Sequence, residues 1–233
     1  MKSKLVLLLP IRCILFIVIF LSITGITHKG LTELTDCWSI VCSIVNILLI
    51  ILLVILTKLN NSSYFELMNY EKGKTRFKDI LIVCLIVLFL GTGGMYISGL
   101  IFYQKFPYMC PEMASTLPVW LAIINAFILP ISTAIAEDGL YLGCGVNGIE
   151  NKYLKVIISG FFFAIQHSFI PFLFDMRFIL YRFFSFLPLT MLLCYIYAKK
   201  KNPLPILIAH TLIDIATVVI IIIVSINPNI FNV

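Results

Sequence analysis

The sequence predicts an all-α fold, a polytopic membrane bundle of about seven transmembrane helices with room for an eighth. Of its 233 residues 61% are hydrophobic and 12% are charged, whereas a soluble domain carries about a quarter charged residues. The mean hydropathy is +1.08. Seven apolar runs are long enough to cross a bilayer, and none alternates with the period of a strand. Water-soluble globular proteins and disordered proteins are excluded.

The apolar runs follow one another along the chain at 5–27, 37–57, 79–103, 117–138, 153–175, 178–198 and 204–227. A helix needs about 20 apolar residues to span the hydrocarbon core. Clustered glycines at 139–150 leave room for a short or re-entrant eighth segment. We expect one membrane domain in two parts, the N-terminal helices with a basic loop at 1–115 and a core at 116–227.

The basic residues predict how the helices are threaded. With a cytoplasmic N-terminus, twelve lysines and arginines lie on the cytoplasmic side, four lie on the other, and Arg12 is inside the first run. This bias is typical of membrane proteins, so the net charge of +6 indicates topology and no nucleic-acid partner. The Ile, Asn and Lys bias is typical of an AT-rich bacterial genome, so we expect a bacterial plasma membrane. Gly139 and Gly143 suit packing within the bundle or between copies, so the oligomeric state stays open.

Ionisable side chains in the apolar runs concentrate in the C-terminal half. Each costs roughly 2.5–3.5 kcal/mol at the centre of a membrane helix, so their presence indicates function. They are Glu137, Asp138, His167, His210 and Asp214. The first three runs hold only Arg12 and amides such as Asn46. His167 and His210 differ in depth by around 10 Å at ~1.5 Å per residue, so they meet only if a span tilts or its boundaries shift.

Several chemistries fit this set of residues. Glu137 is a candidate general base for water, with a histidine to polarise and a polar pair to stabilise an oxyanion. A His/His/carboxylate zinc site fits equally, although the HExxH spacing is absent. A proton or ion pathway uses the same residues, but no paired repeats are visible. Each residue alone also has a structural interpretation, as a solvated helix end or a histidine bonded to a neighbouring helix.

Three short motifs in separate runs resemble those of the CPBP family, which contains type II CAAX prenyl proteases, bacteriocin-processing or immunity proteins and lysostaphin-resistance-like proteins. Its motifs read EExxxR, FxxxH and HxxxN or HxxxD. The matching segments are Glu137 to Gly143, Phe163 to His167 and His210 to Asp214, within about 116–227. Asp138 stands where the family usually has Glu, and Leu142 stands where it has Arg.

The resemblance implies an intramembrane endopeptidase acting on a peptide or membrane-protein substrate. By carry-over, Glu137 with His167 would activate water, His210 and Asp214 would stabilise and position the oxyanion, and Asp138 and Phe163 would support them. No cofactor is expected under this glutamate mechanism, with zinc as the alternative. Leu142 supports a second hypothesis, a non-catalytic peptide-binding relative such as an immunity protein. Arg177 or Arg182 are candidates to replace the missing arginine in space.

Overall fold

A computed structural model describes residues 2–108, 110–228 and 230. Helices make up the fold of the described residues, which contain no strand and confirm the all-α prediction. The α-helices are α1 (Lys2–Leu5), α2 (Ile11–Thr27), α3 (Trp38–Leu59), α4 (Tyr64–Leu67), α5 (Phe77–Tyr103), α6 (Val119–Asp138), α7 (Leu154–Ile165), α8 (Met176–Lys200) and α9 (Leu204–Ile226). Within the bundle α6 packs between α3 and α9, α5 packs on α8 and α9, and α7 packs on α8.

Six helical segments of the described chain are long and apolar enough to cross a membrane. They correspond to six of the seven predicted runs, and many of their Leu, Ile and Phe side chains are exposed, as lipid contact requires. The run 153–175 differs from the prediction, because only the shorter segment Leu154–Phe169 is helical there. Pro171 gives the reason, since proline lacks an amide donor and disfavours helical geometry in the residue before it.

The glycine-rich stretch at 139–150 contains no separate eighth segment. Its first eight residues, Gly139–Val146, continue α6 as a π-helix, so one span runs from Val119 to Val146. A Cβ atom at Gly139 would lie 2.8 Å from the Tyr64 ring, and one at Gly143 would lie 3.0 Å from Leu67. The glycines therefore allow close packing within this chain, which answers the question the sequence left open about their spacing.

The polar loop 60–76 folds back onto the end of the bundle that carries this π-helix. Ser63 caps α4 by accepting a hydrogen bond from the Glu66 amide at 3.2 Å. The Tyr64 hydroxyl donates to the Ile135 carbonyl at 2.6 Å, and burial raises the pKa of Tyr64, which keeps this phenol a neutral donor. The Tyr197 hydroxyl donates to the Met68 carbonyl at 2.8 Å. These bonds close this end of the bundle over α6.

Two buried apolar clusters divide the bundle along its length. One contains Leu9, Leu49, Leu53, Ala136, Leu142 and Ala209 among others, and the second contains Phe16, Val45, Leu129 and Val218 among others. Helices α3, α6 and α9 contribute buried residues to both clusters, and α2 contributes to the second while its Ile11 packs against the first. Each of these four helices carries polar residues where it passes from one cluster to the other, so a buried polar layer lies between two apolar ones.

Candidate active site

The polar layer brings together every site residue that the sequence predicted. Burial is nearly complete on one side, since the side chains of Arg12 and Glu137 are 0% and 1% exposed. The side chains of His167 and Asp214 are 12% and 21% exposed. The site is therefore closed on the side of α2 and opens on the side where His167 and Asp214 lie.

Glu137 is the central residue of the site. It is the penultimate residue of α6, one turn after Thr133 and two residues before the start of the π-helix. Its Oε1 atom forms an ion pair with Nη1 of Arg12. Its Oε2 atom lies 3.9 Å from Nε2 of His167 and 3.6 Å from Nε2 of His210, and makes no direct hydrogen bond within the described chain. One oxygen is thus fixed by a cation, and the other faces two histidines.

His167 is held by the 3₁₀ turn Gln166–Phe169 that follows α7. Its ring stacks on the Phe186 ring with the centroids 3.8 Å apart. Nε of Arg182 donates to the His167 carbonyl at 3.2 Å, and the Ser168 hydroxyl donates to the Ile179 carbonyl at 2.8 Å. Contacts with α8 therefore fix both the backbone and the ring of His167.

His210 is oriented by a hydrogen bond with Asp138. Its Nδ1 atom lies 3.2 Å from Oδ1 of Asp138, and its Nε2 atom faces Glu137 and lies 3.7 Å from Oδ2 of Asp214. Because a hydrogen bond at one ring nitrogen sets what the other can do, Asp138 directs Nε2 toward Glu137. The sequence interpretation gave Asp138 only a supporting place and paired His210 with Asp214 at the oxyanion. In the structure, Asp138 makes the closer contact.

Phe163 lies beside both histidines. Its ring stacks on Tyr141 at 4.7 Å between centroids, and its centroid lies 6.3 Å from that of His167 and 6.0 Å from that of His210. The difference in depth that the sequence gave for the histidines does not keep them apart, because both reach the same oxygen of Glu137. Counted from Leu154 and Leu204, His167 is the fourteenth residue and His210 the seventh. The two helices therefore start at different heights or are tilted.

The guanidinium group beside the acidic pair comes from Arg12, which the sequence interpretation left without a role. Leu142, at the position of the motif arginine, is buried in an apolar cluster. Neither arginine suggested as a replacement takes its place, since Arg182 contacts the carbonyl of His167 and Arg177 lies over the Tyr103 ring. The signal for Arg12 was present in the sequence, because an arginine within an apolar run requires a buried partner.

Arg12 is held by α3 as well as by Glu137. Its Nη2 atom donates to Oδ1 of Asn46 at 2.7 Å. The Asn46 amide donates in turn to the Thr133 hydroxyl at 2.8 Å and to the Ser132 hydroxyl at 3.3 Å, both on α6. Polar contacts thus run from α6 through α3 and α2 and return to α6 at Glu137.

The zinc alternative can be compared with the geometry of the described residues. Across residues 2–108, 110–228 and 230, no group of three or more His, Cys, Asp or Glu is arranged to hold a metal ion. Moreover, the cation of Arg12 already pairs with Glu137, the carboxylate that would be needed as a ligand. A second cation beside it would be repelled. The mechanism below therefore uses no metal.

Comparison with known proteins identifies the region that contains the motifs. Residues 117–216 match the model of the family described as Rce1-like, type II CAAX prenyl endopeptidase Rce1-like. No curated protein and no solved structure gives a significant match to the chain. The matched segment contains Glu137, His167, His210 and Asp214, whereas Arg12 lies outside it. Residues 117–216 are therefore similar to the Rce1-like type II CAAX prenyl endopeptidases, in agreement with the resemblance that the motifs carry, and the six apolar helices support an integral membrane protein.

Proposed function

We propose that the chain is an intramembrane glutamic endopeptidase that hydrolyses a peptide bond with a water activated by Glu137 and His167. One observation carries the proposal, namely that Oε2 of Glu137 lies 3.9 Å from Nε2 of His167 and 3.6 Å from Nε2 of His210. These separations are too long for direct hydrogen bonds and suit groups bridged by the oxygen of a water. A carboxylate and two imidazoles thus converge on one position.

The first step is attack on the peptide carbonyl. Oε2 of Glu137 takes a proton from the water as the water oxygen bonds to the carbonyl carbon, and the carbonyl oxygen becomes an oxyanion. His210, with Asp138 on its Nδ1 atom, donates from Nε2 to this oxyanion when it is protonated. The intermediate then collapses, the C–N bond breaks, and the proton held by Glu137 passes to the leaving nitrogen. The products are a carboxylate and an amine.

His167 and Asp214 have accessory parts in this mechanism. The His167 ring, fixed against Phe186, orients the water from the side opposite His210. Asp214, 3.7 Å from Nε2 of His210, supports the positive charge of that ring and positions the oxyanion. Phe163, about 6 Å from both imidazoles between ring centroids, contributes an apolar wall beside them.

The substrate is a peptide or a protein associated with the membrane. Helix threading by basic residues supports a cytoplasmic N-terminus in a bacterial plasma membrane, with twelve of the 17 basic residues on that side. The division into an N-terminal part at 1–115 and a protease core at 116–227 is part of the same proposal. The N-terminal part contributes Arg12 to the site, so the two parts act as one membrane domain.

A second candidate is a non-catalytic relative that binds a peptide, as an immunity or regulatory protein does. Its support is Leu142, which stands where the family motif has an arginine. Under this hypothesis the protective or regulatory phenotype survives Glu137→Gln, whereas under the protease hypothesis a phenotype that depends on cleavage is lost. The two candidates therefore differ in one measurable outcome in cells.

The direct test is cleavage by the purified full chain in detergent micelles. Three peptides serve as substrates: one ending in a farnesylated CAAX sequence, the same peptide without the lipid, and an unrelated hydrophobic peptide. Glu137→Gln should lower the rate by about a thousandfold, within the range for a general base. Glu150→Gln, the same change at an exposed glutamate, should leave the rate unchanged.

Chelation completes this test. The rate should be unchanged by EDTA and by 1,10-phenanthroline, because the proposed mechanism uses no metal. Cleavage by Glu137→Gln at the parent rate would remove the glutamate mechanism. Loss of activity with a chelator, followed by recovery with zinc, would favour the zinc-dependent version.

A further inference from the structure

We infer that Arg12, from the first membrane span, performs the role left open by Leu142 and positions Glu137 for the reaction. This inference rests on the proposed function. Arg12 is fully buried, and its Nη1 atom pairs with Oε1 of Glu137. Burying a charged side chain costs free energy unless the charge is paired. The contact between Arg12 and Glu137 therefore explains how both charges are tolerated in the interior. The geometry further divides the glutamate between two tasks, because Oε1 is fixed by Arg12 while Oε2 faces the histidines.

The position of Arg12 is itself set by α6. Thr133 accepts a hydrogen bond from Asn46, and Asn46 accepts one from Arg12 at 2.7 Å. Thr133 and Glu137 are four residues apart and lie on one face of α6. The guanidinium is therefore oriented by the helix that carries the carboxylate it holds. Rotation of the Glu137 carboxylate about its terminal bond would break the pair with Arg12.

The location of Arg12 has a consequence for the whole chain. Residues 117–216, which match the family, do not contain this guanidinium group, so the site is incomplete without α2. Leu142 lies in the apolar cluster five residues after Glu137, and an arginine at position 142 would start from the same helix as the carboxylate. In this chain the guanidinium that pairs with Glu137 thus comes from α2, and Leu142 of the π-helix supplies no charge.

An alternative is that the Arg12–Glu137 pair only holds α2 against the bundle. A structural pair and a positioning residue differ in kinetics. Loss of a purely structural pair lowers the amount of folded protein but leaves the folded fraction with its kcat. Loss of a positioning residue lowers kcat with KM unchanged, because a displacement of about 1 Å can reduce a rate by about a hundredfold.

The experiment measures kcat and KM of the full chain in micelles for the parent, Arg12→Leu and Arg12→Lys. The matched control is Arg177→Leu. Arg177 is exposed and lies over the Tyr103 ring, and it has no part in the proposed mechanism. Arg12→Leu should lower kcat by about a hundredfold or more with KM within about twofold. Arg12→Lys should give an intermediate kcat, because an ammonium lacks the fork that contacts Glu137 and Asn46 together.

Rescue provides the decisive readout. Adding Leu142→Arg to Arg12→Leu should raise kcat at least about tenfold, because it returns a guanidinium to the same carboxylate. If Arg12→Leu does not yield folded protein, Arg12→Lys, which keeps the buried charge, carries the test through its loss of kcat. A parent-level kcat in folded Arg12→Leu, or in Arg12→Lys, would overturn the inference. A parent chain that cleaves no substrate would overturn the proposed function instead, so the two failures are distinguishable.

Discussion

The N-terminal helices α2 and α3 and the C-terminal elements around α6, α7 and α9 contribute to the site in different ways. The N-terminal pair supplies Arg12 and Asn46, which are fully enclosed and are bonded to each other. The C-terminal elements supply the acids and the histidines, of which His167 and Asp214 retain some exposure. A fixed cation thus lies on the closed side, and the groups that can meet a substrate lie on the open side.

This difference separates two physical tasks. A group that holds a catalytic carboxylate gains from enclosure, since a low dielectric strengthens its ion pair. A group that transfers a proton or contacts an oxyanion must reach the substrate. We therefore expect substitutions on the open side to change the rate with little change in stability, and substitutions on the closed side to change both.

The largest effect is expected at the two histidines. His210→Asn and His167→Asn should each lower kcat by about a hundredfold to a few thousandfold, since each ring faces the oxygen of Glu137 that activates water in the proposed mechanism. The melting temperature in detergent should change little. His28→Asn, at the exposed third histidine, is the control. Parent-level activity in either site variant would show that its ring is not needed for the reaction.

An intermediate effect is expected at the acids that flank His210. Asp138→Asn should lower kcat by about tenfold to a hundredfold, because the carboxylate at 3.2 Å from Nδ1 both orients the ring and stabilises its charged form. Asp214→Asn should lower kcat only a few-fold, since Oδ2 of Asp214 lies 3.7 Å from Nε2 of His210 and makes the longer contact. Side-by-side kinetics of the two variants check this ranking. The reverse order would assign the orienting role to Asp214.

The smallest effect on the rate is expected at Asn46, on the closed side. Asn46→Leu removes the side-chain amide that bonds Nη2 of Arg12 and the Thr133 hydroxyl, at about 1–3 kcal/mol per group, so the melting temperature should fall by several degrees. The rate should fall a few-fold, because Arg12 keeps its pair with Glu137.

Asn125 provides the matched control for this change, since it is buried on α6 and accepts a hydrogen bond from Ser43 of α3 at 2.6 Å. Asn125→Leu should lower the melting temperature by a similar amount and leave kcat unchanged. A loss of kcat in Asn125→Leu would indicate that general loosening of α3 against α6, not the contacts of Arg12, accounts for the effect of Asn46→Leu.

Much of the fold was predictable from hydropathy alone. The predicted run 37–57 became Trp38–Leu59, and 79–103 became Phe77–Tyr103. Hydrocarbon offers no partner for a backbone amide, so an apolar run of this length has few alternatives to a helix. The prediction was less accurate at 139–150. Clustered glycines are typical of a break in a helix, but here the helix continues and its glycines allow Tyr64 and Leu67 to pack closely against it.

The site was predictable only in part. Glu137, His167 and His210 stood out because charged or titratable groups are rare in apolar runs and these three fall in recognisable motifs. Arg12 stood out by the same criterion, yet no spacing linked it to residues 125 positions later. The ranking of Asp138 over Asp214 also required coordinates, since it depends on distances of 3.2 Å and 3.7 Å to different atoms of one ring.

The sequence by itself determined that this chain is a helical membrane protein, which residues are costly to bury, and which family its C-terminal half resembles. These properties depend on local composition and on spacing within single helices. Tertiary structure alone decided that Arg12 pairs with Glu137, that Asp138 orients His210, and that the site is closed on the side of α2. Such pairings depend on how separate helices pack. All the helices have similar apolar surfaces, so the sequence of one helix does not indicate which other helix it will contact.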